Sequence, residues 1–155
     1  GLRSLRGTLR GKLQIWDLDM LTSVAGLEGV AAVGGLHIEA CPQLNDIRGF
    51  QSLGMLLGDG GLRIAHCHVL RSLQGLERLT HAGNLQLEDL PQLESIAALA
   101  SCRQTLYGDV ILKSLDKLES LQGLQNLNWD SAGHCRTIRI TDCQRLQSIA
   151  ALASI

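Results

Sequence analysis

The sequence predicts an all-β solenoid of about six coils, each of about 25 residues, whose strands share one parallel sheet. Two observations predict this architecture. One apolar motif repeats along nearly the whole chain, and the offsets inside the motif stay constant from copy to copy. In addition, no segment carries an apolar pattern long enough for an ordinary α-helix. Units of this size cannot bury a core alone, so they are expected to stack on their neighbours.

Each repeat begins with a short apolar-x-apolar strand. The alternation predicts that the first and third residues of the strand point inward. Stacking should place neighbouring strands about 4.8 Å apart and align equivalent residues in ladders. The first residues of the six strands, spaced 23, 26, 23, 25 and 28 residues apart, are Leu13, Leu36, Leu62, Leu85, Val110 and Ile138.

Three further columns follow each strand. One is an inward Cys or Leu: Leu18, Cys41, Cys67, Leu90, Leu115 and Cys143. The next is small and polar: Ser23, Asp46, Ser72, Ser95, Ser120 and Ser148. The last is Gly or Ala: Gly26, Gly49, Gly75, Ala98, Gly123 and Ala151. Apolar residues at steps of three favour bends and short 3₁₀ turns here. The Gly/Ala column is interpreted as a tight corner where glycine supplies unusual dihedral angles.

The composition argues against several classes of function. Charged residues are 19% of the chain and the formal net charge is −1, so neither nucleic-acid binding nor a polybasic membrane patch is expected. No apolar stretch approaches ~18 residues, so no membrane insertion is expected. Residues 1–155 are expected to form one solenoid domain. Because both ends fall within a coil, we expect a segment of a longer repeat protein, or end-on packing against more repeats or another subunit.

The segment GGLHIEACPQLNDIRGF and the recurring SLQGL phrases resemble the receptor L-domain family, whose repeats share leucine spacing with leucine-rich repeats. The resemblance covers about residues 2–155. It implies a right-handed parallel β-helix, with a leucine-rich-repeat horseshoe as the alternative fold. It also implies a non-catalytic protein-recognition module on a cell surface or in a secreted protein. A structural segment packed within a larger multi-protein assembly is the alternative function.

The outward residues of the strands are the first candidates for binding a protein partner, because Trp and Arg are favoured interface anchors. The two longest connections add two aromatic candidates, since loops on a rigid scaffold often carry recognition. An enzyme is not expected: Glu39 and Glu88 lie two coils apart, roughly 10 Å, and no nucleophile–base pair emerges. The candidate binding residues are Trp16, His37, Glu39, Arg63, Lys113 and Arg139 on the strands, and Tyr107 and Trp129 in the connections.

No cofactor is expected, and the cysteines and histidines leave two disulfide pairs open. Cys41 and Cys67 lie in successive coils within disulfide reach, although buried thiols are favoured. Cys102 and Cys135, in the two long connections, form the other open pair. The run His66-Cys67-His68 suggests a metal site, but Cys67 should point inward while its neighbours point elsewhere. The sequence therefore favours exposed turn histidines and no metal.

Overall fold

A computed structural model of the chain describes residues 5–58, 60–103, 108–127 and 137–153. It is an all-β solenoid, a right-handed parallel β-helix, as predicted. Five turns join six main strands. The only helices among the described residues are short 3₁₀ helices. None of these is long and apolar enough to cross a membrane. The strands are β1 (Gly7–Trp16), β2 (Val30–Glu39), β3 (Met55–Leu56), β4 (Leu62–Ala65), β5 (Leu85–Glu88), β6 (Val110–Lys113) and β7 (Ile138–Thr141).

The register of the sheet follows the sequence motif. The strand order is β1-β2-β4-β5-β6-β7, and all neighbours in this path are parallel. Leu36 pairs with Leu13 on one side and Leu62 on the other, and the ladder continues through Leu85. The predicted inner ladder is therefore confirmed. It is closed to solvent in the middle of the stack and opens at the last coil, where Ile138 is 39% exposed.

The first two strands are longer than the motif predicts. Both span ten residues, and the first half of β2 also pairs with the two-residue strand β3, which the sequence pattern did not indicate. Two glycines in the middle of β2 permit this extension. A Cβ on Gly34 would lie 2.4 Å from the carbonyl oxygen of Arg10 in the neighbouring coil. Glycine thus lets the two backbones approach closely at this position.

A left-handed residue ends each main strand. In this column, φ lies between 51° and 55° although no member is glycine. Four of the six are Asp or His, which tolerate this region better than most side chains. The backbone ladder continues through the corner, since the His66 amide donates to the Glu88 carbonyl. Equivalent corner side chains therefore stack in successive coils: Asp17, Ala40, His66, Asp89, Ser114 and Asp142.

The Gly/Ala corner has two alternating conformations rather than one. In the first, third and fifth coils, glycine has a φ of 105–121° and its amide donates to a Glu or Gln side chain two residues later. In the other three coils, the corner is a 3₁₀ helix: Arg48–Phe50, Ala97–Ser101 and Ala150–Leu152. The Ser/Asp bridges join the same coil pairs: Ser23 with Asp46, Ser72 with Ser95, and Ser120 with Ser148. The structural repeat is thus two coils.

The core is a continuous apolar column inside the coils. Leucine dominates it, and Phe50 is the largest fully buried side chain. No polar or charged residue of the described ranges is buried. Burial of apolar surface, rather than polar networks, therefore stabilises the solenoid.

Candidate functional site

The outer face of the main sheet is built from the second and fourth residues of the four-residue motif that begins at Leu13, Leu36, Leu62, Leu85, Val110 and Ile138. Parallel pairing brings Glu39, Ala65 and Glu88 into one row. Strand alternation puts Ala65 at an outward position, but it is fully buried. Its short side chain lies in the row between the two glutamates.

Arg63 is the centre of the polar contacts on this face. Its Nη1 donates to Glu88 Oε1 at 2.8 Å and to Gln86 Oε1 at 3.1 Å. Its Nε donates to Glu39 Oε2 at 3.3 Å. The arginine thus links strands β2, β4 and β5, and its side chain is only 24% exposed.

The carboxylates of Glu39 and Glu88 both accept hydrogen bonds from Arg63. Partial burial lowers the pKa of Arg63, but the hydrogen bonds that Arg63 donates to Glu39 and Glu88 outweigh it and raise that pKa above its ordinary value. The guanidinium therefore stays charged between the two carboxylates. This arrangement holds Glu39 and Glu88 as charge partners of Arg63 rather than as an acid–base pair across a cleft.

His37 has a contact of its own. Its Nε2 donates to the carbonyl oxygen of Gly60 at 2.8 Å, in the loop that leads into β4. The ring is half-buried. His37 therefore ties a loop to the outer face, and its side chain is less available to a partner than the sequence suggested.

The first coil carries exposed apolar side chains. Trp16 is 61% exposed at the end of β1, and Met20, four residues later, is 87% exposed. Leu18, between them, is 46% exposed. The column of Leu18 is fully buried in the middle coils, so its exposure is an effect of lying in the first described coil. Trp16 differs, because the same position in four later coils is at least partly exposed and carries Glu39, Glu88, Lys113 and Thr141; only Ala65 is buried there.

The remaining predicted residues divide into two groups. Lys113 and Arg139 are exposed on the outer face at β6 and β7. Tyr107 and Trp129 lie outside the described residues. The structure therefore gathers six of the eight predicted residues on one sheet, where Arg63 contacts Glu39.

A second cluster lies at the corner between the third and fourth coils. Asp89 Oδ2 accepts a hydrogen bond from His66 Nδ1 at 2.8 Å and another from His68 Nε2 at 3.0 Å. The two hydrogen bonds lower the pKa of Asp89 below its ordinary value. The three ligand-type atoms lie within 4.8 Å of one another, and all three side chains are about half exposed.

The sequence analysis did not predict that Asp89 contacts the two histidines, although the sequence pattern indicated that Asp89 and His66 stack. His66 and Asp89 each occupy the residue directly after a strand, one coil apart. Stacking of that column was sufficient to bring them together. Cys67 points inward and both histidines are exposed, as expected, but the convergence of the two rings on one carboxylate was not predicted. Gln86 was also missed as a partner of Arg63.

The four described cysteines are free. Cys41 and Cys67 are buried and unbonded, which confirms the favoured interpretation of that pair. Burial raises the pKa of Cys67 to about 11 and that of Cys102 to about 12. Cys102 donates its thiol hydrogen to the Leu79 carbonyl, and Cys135 lies outside the described residues. These buried thiols are poor nucleophiles and poor metal ligands at neutral pH.

Comparisons of the chain with protein-family models, with curated proteins and with solved structures found no match. The β-helix therefore rests on the structure and on the repeat. The resemblance to receptor L domains stays a prediction based on the sequence motif.

Proposed function

We propose that the chain is a non-catalytic protein-recognition module that binds its partner on the outer face of the main sheet. The observation that carries this proposal is the exposure of Trp16. A tryptophan replaces the polar or small residues of its column, on a position that is outward in every coil. Tryptophan gains a large apolar contact area when a partner covers it, and it is enriched among binding hot spots.

The rest of the face has the composition of an interface rim. A network of salt bridges lies beside strand β1 and joins Arg63 to Glu39 and Glu88. Two exposed cations, Lys113 and Arg139, extend the face. Interfaces commonly combine an apolar anchor with such a polar rim. Mixed charge favours a partner whose surface carries both signs in a complementary pattern.

The shape of the molecule supports binding on a broad surface rather than inside a pocket. The core is filled with apolar side chains, and a depression between the second and third coils is open and polar, lined by Asn45, Asp46, Arg48, Ser72 and Gln74 among others. Small-molecule sites usually have apolar walls that enclose the ligand. A location on a cell surface or in a secreted protein is proposed from the L-domain resemblance alone.

The experiment is site-specific photo-crosslinking in extracts of the source organism. A photoreactive amino acid replaces Gln14 or Lys113, which are exposed outer-face residues, or Glu94 or Gln122, which are exposed controls on the turns. The proposal predicts one discrete adduct from the two outer-face positions and none from the controls. Equal adducts from all four positions, or adducts from the controls alone, contradict it.

Once the partner is isolated, Trp16→Ala measures the contribution of the anchor. A hot-spot residue is worth about 2 kcal/mol or more, so the Kd is expected to rise roughly thirtyfold. The matched control, Gln122→Ala, leaves the Kd unchanged. An unchanged Kd for Trp16→Ala removes the tryptophan from the interface.

A second candidate function is a segment packed within a larger assembly. The last coil favours it, because Ile138 and Ile149 are 39% and 62% exposed although their columns are buried in the middle of the stack. A further coil or subunit placed there would bury them. Light scattering tests this: concentration-dependent association that Ile149→Glu abolishes and Trp16→Ala retains supports the assembly function, and a monomer at all concentrations opposes it.

A further inference from the structure

We propose that His66, His68 and Asp89 form a binding site for a divalent transition-metal ion, with zinc as the ion that fits their chemistry best. The proposal is independent of the protein-recognition surface. It rests on the positions of three side chains that converge at one corner of the solenoid.

The fold itself brings the three residues together. Ala65 pairs with Glu88 in register, and the next residue on each strand is the left-handed corner residue. His66 and Asp89 therefore stack one strand spacing apart. His68 reaches the same carboxylate from the turn that follows. The corner geometry repeats in all six coils, but only this pair of coils places histidines there.

The distances suit a metal. Zinc binds imidazole nitrogen and carboxylate oxygen at about 2.0–2.2 Å in tetrahedral geometry, which separates two ligand atoms by about 3.3 Å. The nitrogen–oxygen distances here are 2.8 and 3.0 Å, and no pair of the three atoms exceeds 4.8 Å. Small rotations of the half-exposed side chains are sufficient to open the cluster around an ion.

The donor set selects the type of ion. Two imidazoles and one carboxylate suit zinc, copper or nickel better than calcium or magnesium, which prefer all-oxygen sites. Three protein ligands leave a fourth position that faces solvent. Cys67 lies between the two histidines in sequence, but it is buried and donates its thiol hydrogen toward the Ala65 carbonyl, so it is not a ligand.

Metal titration of the full chain tests the proposal. The reduced protein, stripped with EDTA, is titrated with ZnCl₂ by calorimetry and with CoCl₂ by visible absorption. We expect one ion per chain, the intense visible bands of tetrahedral cobalt, and no thiolate-to-cobalt charge-transfer band.

Two ligand variants and one matched control assign the site. His68→Gln and Asp89→Asn should each weaken zinc binding by more than about 100-fold, the upper end of what loss of an outer-shell partner costs. Asn tolerates the left-handed corner, so Asp89→Asn keeps the backbone. Asp142→Asn changes the equivalent corner of the last coil and should bind like wild type.

Three results would overturn the proposal. They are an absence of one-to-one binding up to the millimolar range, equal binding by His68→Gln and wild type, and a thiolate charge-transfer band. If Asp89→Asn does not fold, His68→Gln decides alone, because His68 has no positive φ and its side chain is 52% exposed.

Discussion

Replacing Gly123 with alanine should destabilise the protein far more than the same change at Gly54, where a new side chain has space. Gly123 has a φ of 121°, and a Cβ there would lie 2.2 Å from the carbonyl oxygen of Ile96 in the preceding coil. Left-handed backbone costs an L-residue about 1–2 kcal/mol. Overpacking against a fixed backbone costs about 1–3 kcal/mol more. Alanine also lowers the entropy of the unfolded chain, which stabilises the protein by about 0.4–1 kcal/mol, so the net cost is about 3 kcal/mol.

Thermal unfolding followed by circular dichroism measures this cost. A chain of this length loses about 2–4 °C of Tm per kcal/mol, so Gly123→Ala should lower the Tm by about 6–12 °C. Gly54→Ala is the matched control, because its new Cβ meets nothing closer than 3.8 Å. The reverse change, Ala98→Gly, falls in a 3₁₀ corner and should cost only about 0.5–1 kcal/mol. A Tm for Gly123→Ala equal to that of Gly54→Ala would refute the two-coil alternation.

Three further predictions concern the core, the thiols and acid stability. Ile64→Ala removes a fully buried side chain and should cost about 2–5 kcal/mol in urea unfolding; a cost below about 1 kcal/mol would contradict the stacked core. Cys67 and Cys102 should resist alkylation at neutral pH until the chain is unfolded, because burial raises the pKa of both thiols; rapid labelling of the native protein argues against their burial. Hydrogen bonds from the Arg48 side chain and amide lower the pKa of Asp46, so this carboxylate stabilises the fold above its unfolded pKa and ceases to do so as pH falls through the lowered value. Asp46→Asn should therefore reduce stability at neutral pH and flatten its acid dependence, and an unchanged pH profile would exclude the contribution.

The periodic pattern predicted the columns of the solenoid because each column obeys one physical requirement. Leu36 and Leu62 had to be inward, and the parallel register followed from matching their positions. The pattern could not predict the extension of β2, since that depends on how closely the backbone at Gly34 approaches the neighbouring coil. It also treated the Gly/Ala column as one corner, whereas Gly75 and Ala98 have different backbones.

The candidate sites were predicted less completely than the fold. The position of Arg63 on the outer face followed from alternation, but its simultaneous contact with Glu39 and Glu88 depends on side-chain rotamers. The approach of His68 to Asp89 likewise depends on the turn after the corner. Motif spacing fixes which residues share a column, while contacts between columns require the three-dimensional path of the chain.

Stacking of the strands in one register is the central claim, because it places the proposed binding residues on a common face. Engineered disulfides in a background with the native cysteines replaced by alanine test it most directly. Gln86 and Ile111 pair in register, so a cysteine pair there lies about 4.8 Å apart and should form a disulfide on oxidation. Cysteines at Gln86 and Lys113 are offset by two residues, roughly 8 Å apart, and should not bond. Efficient crosslinking of the offset pair, or none of the paired one, would contradict the register and the face built on it.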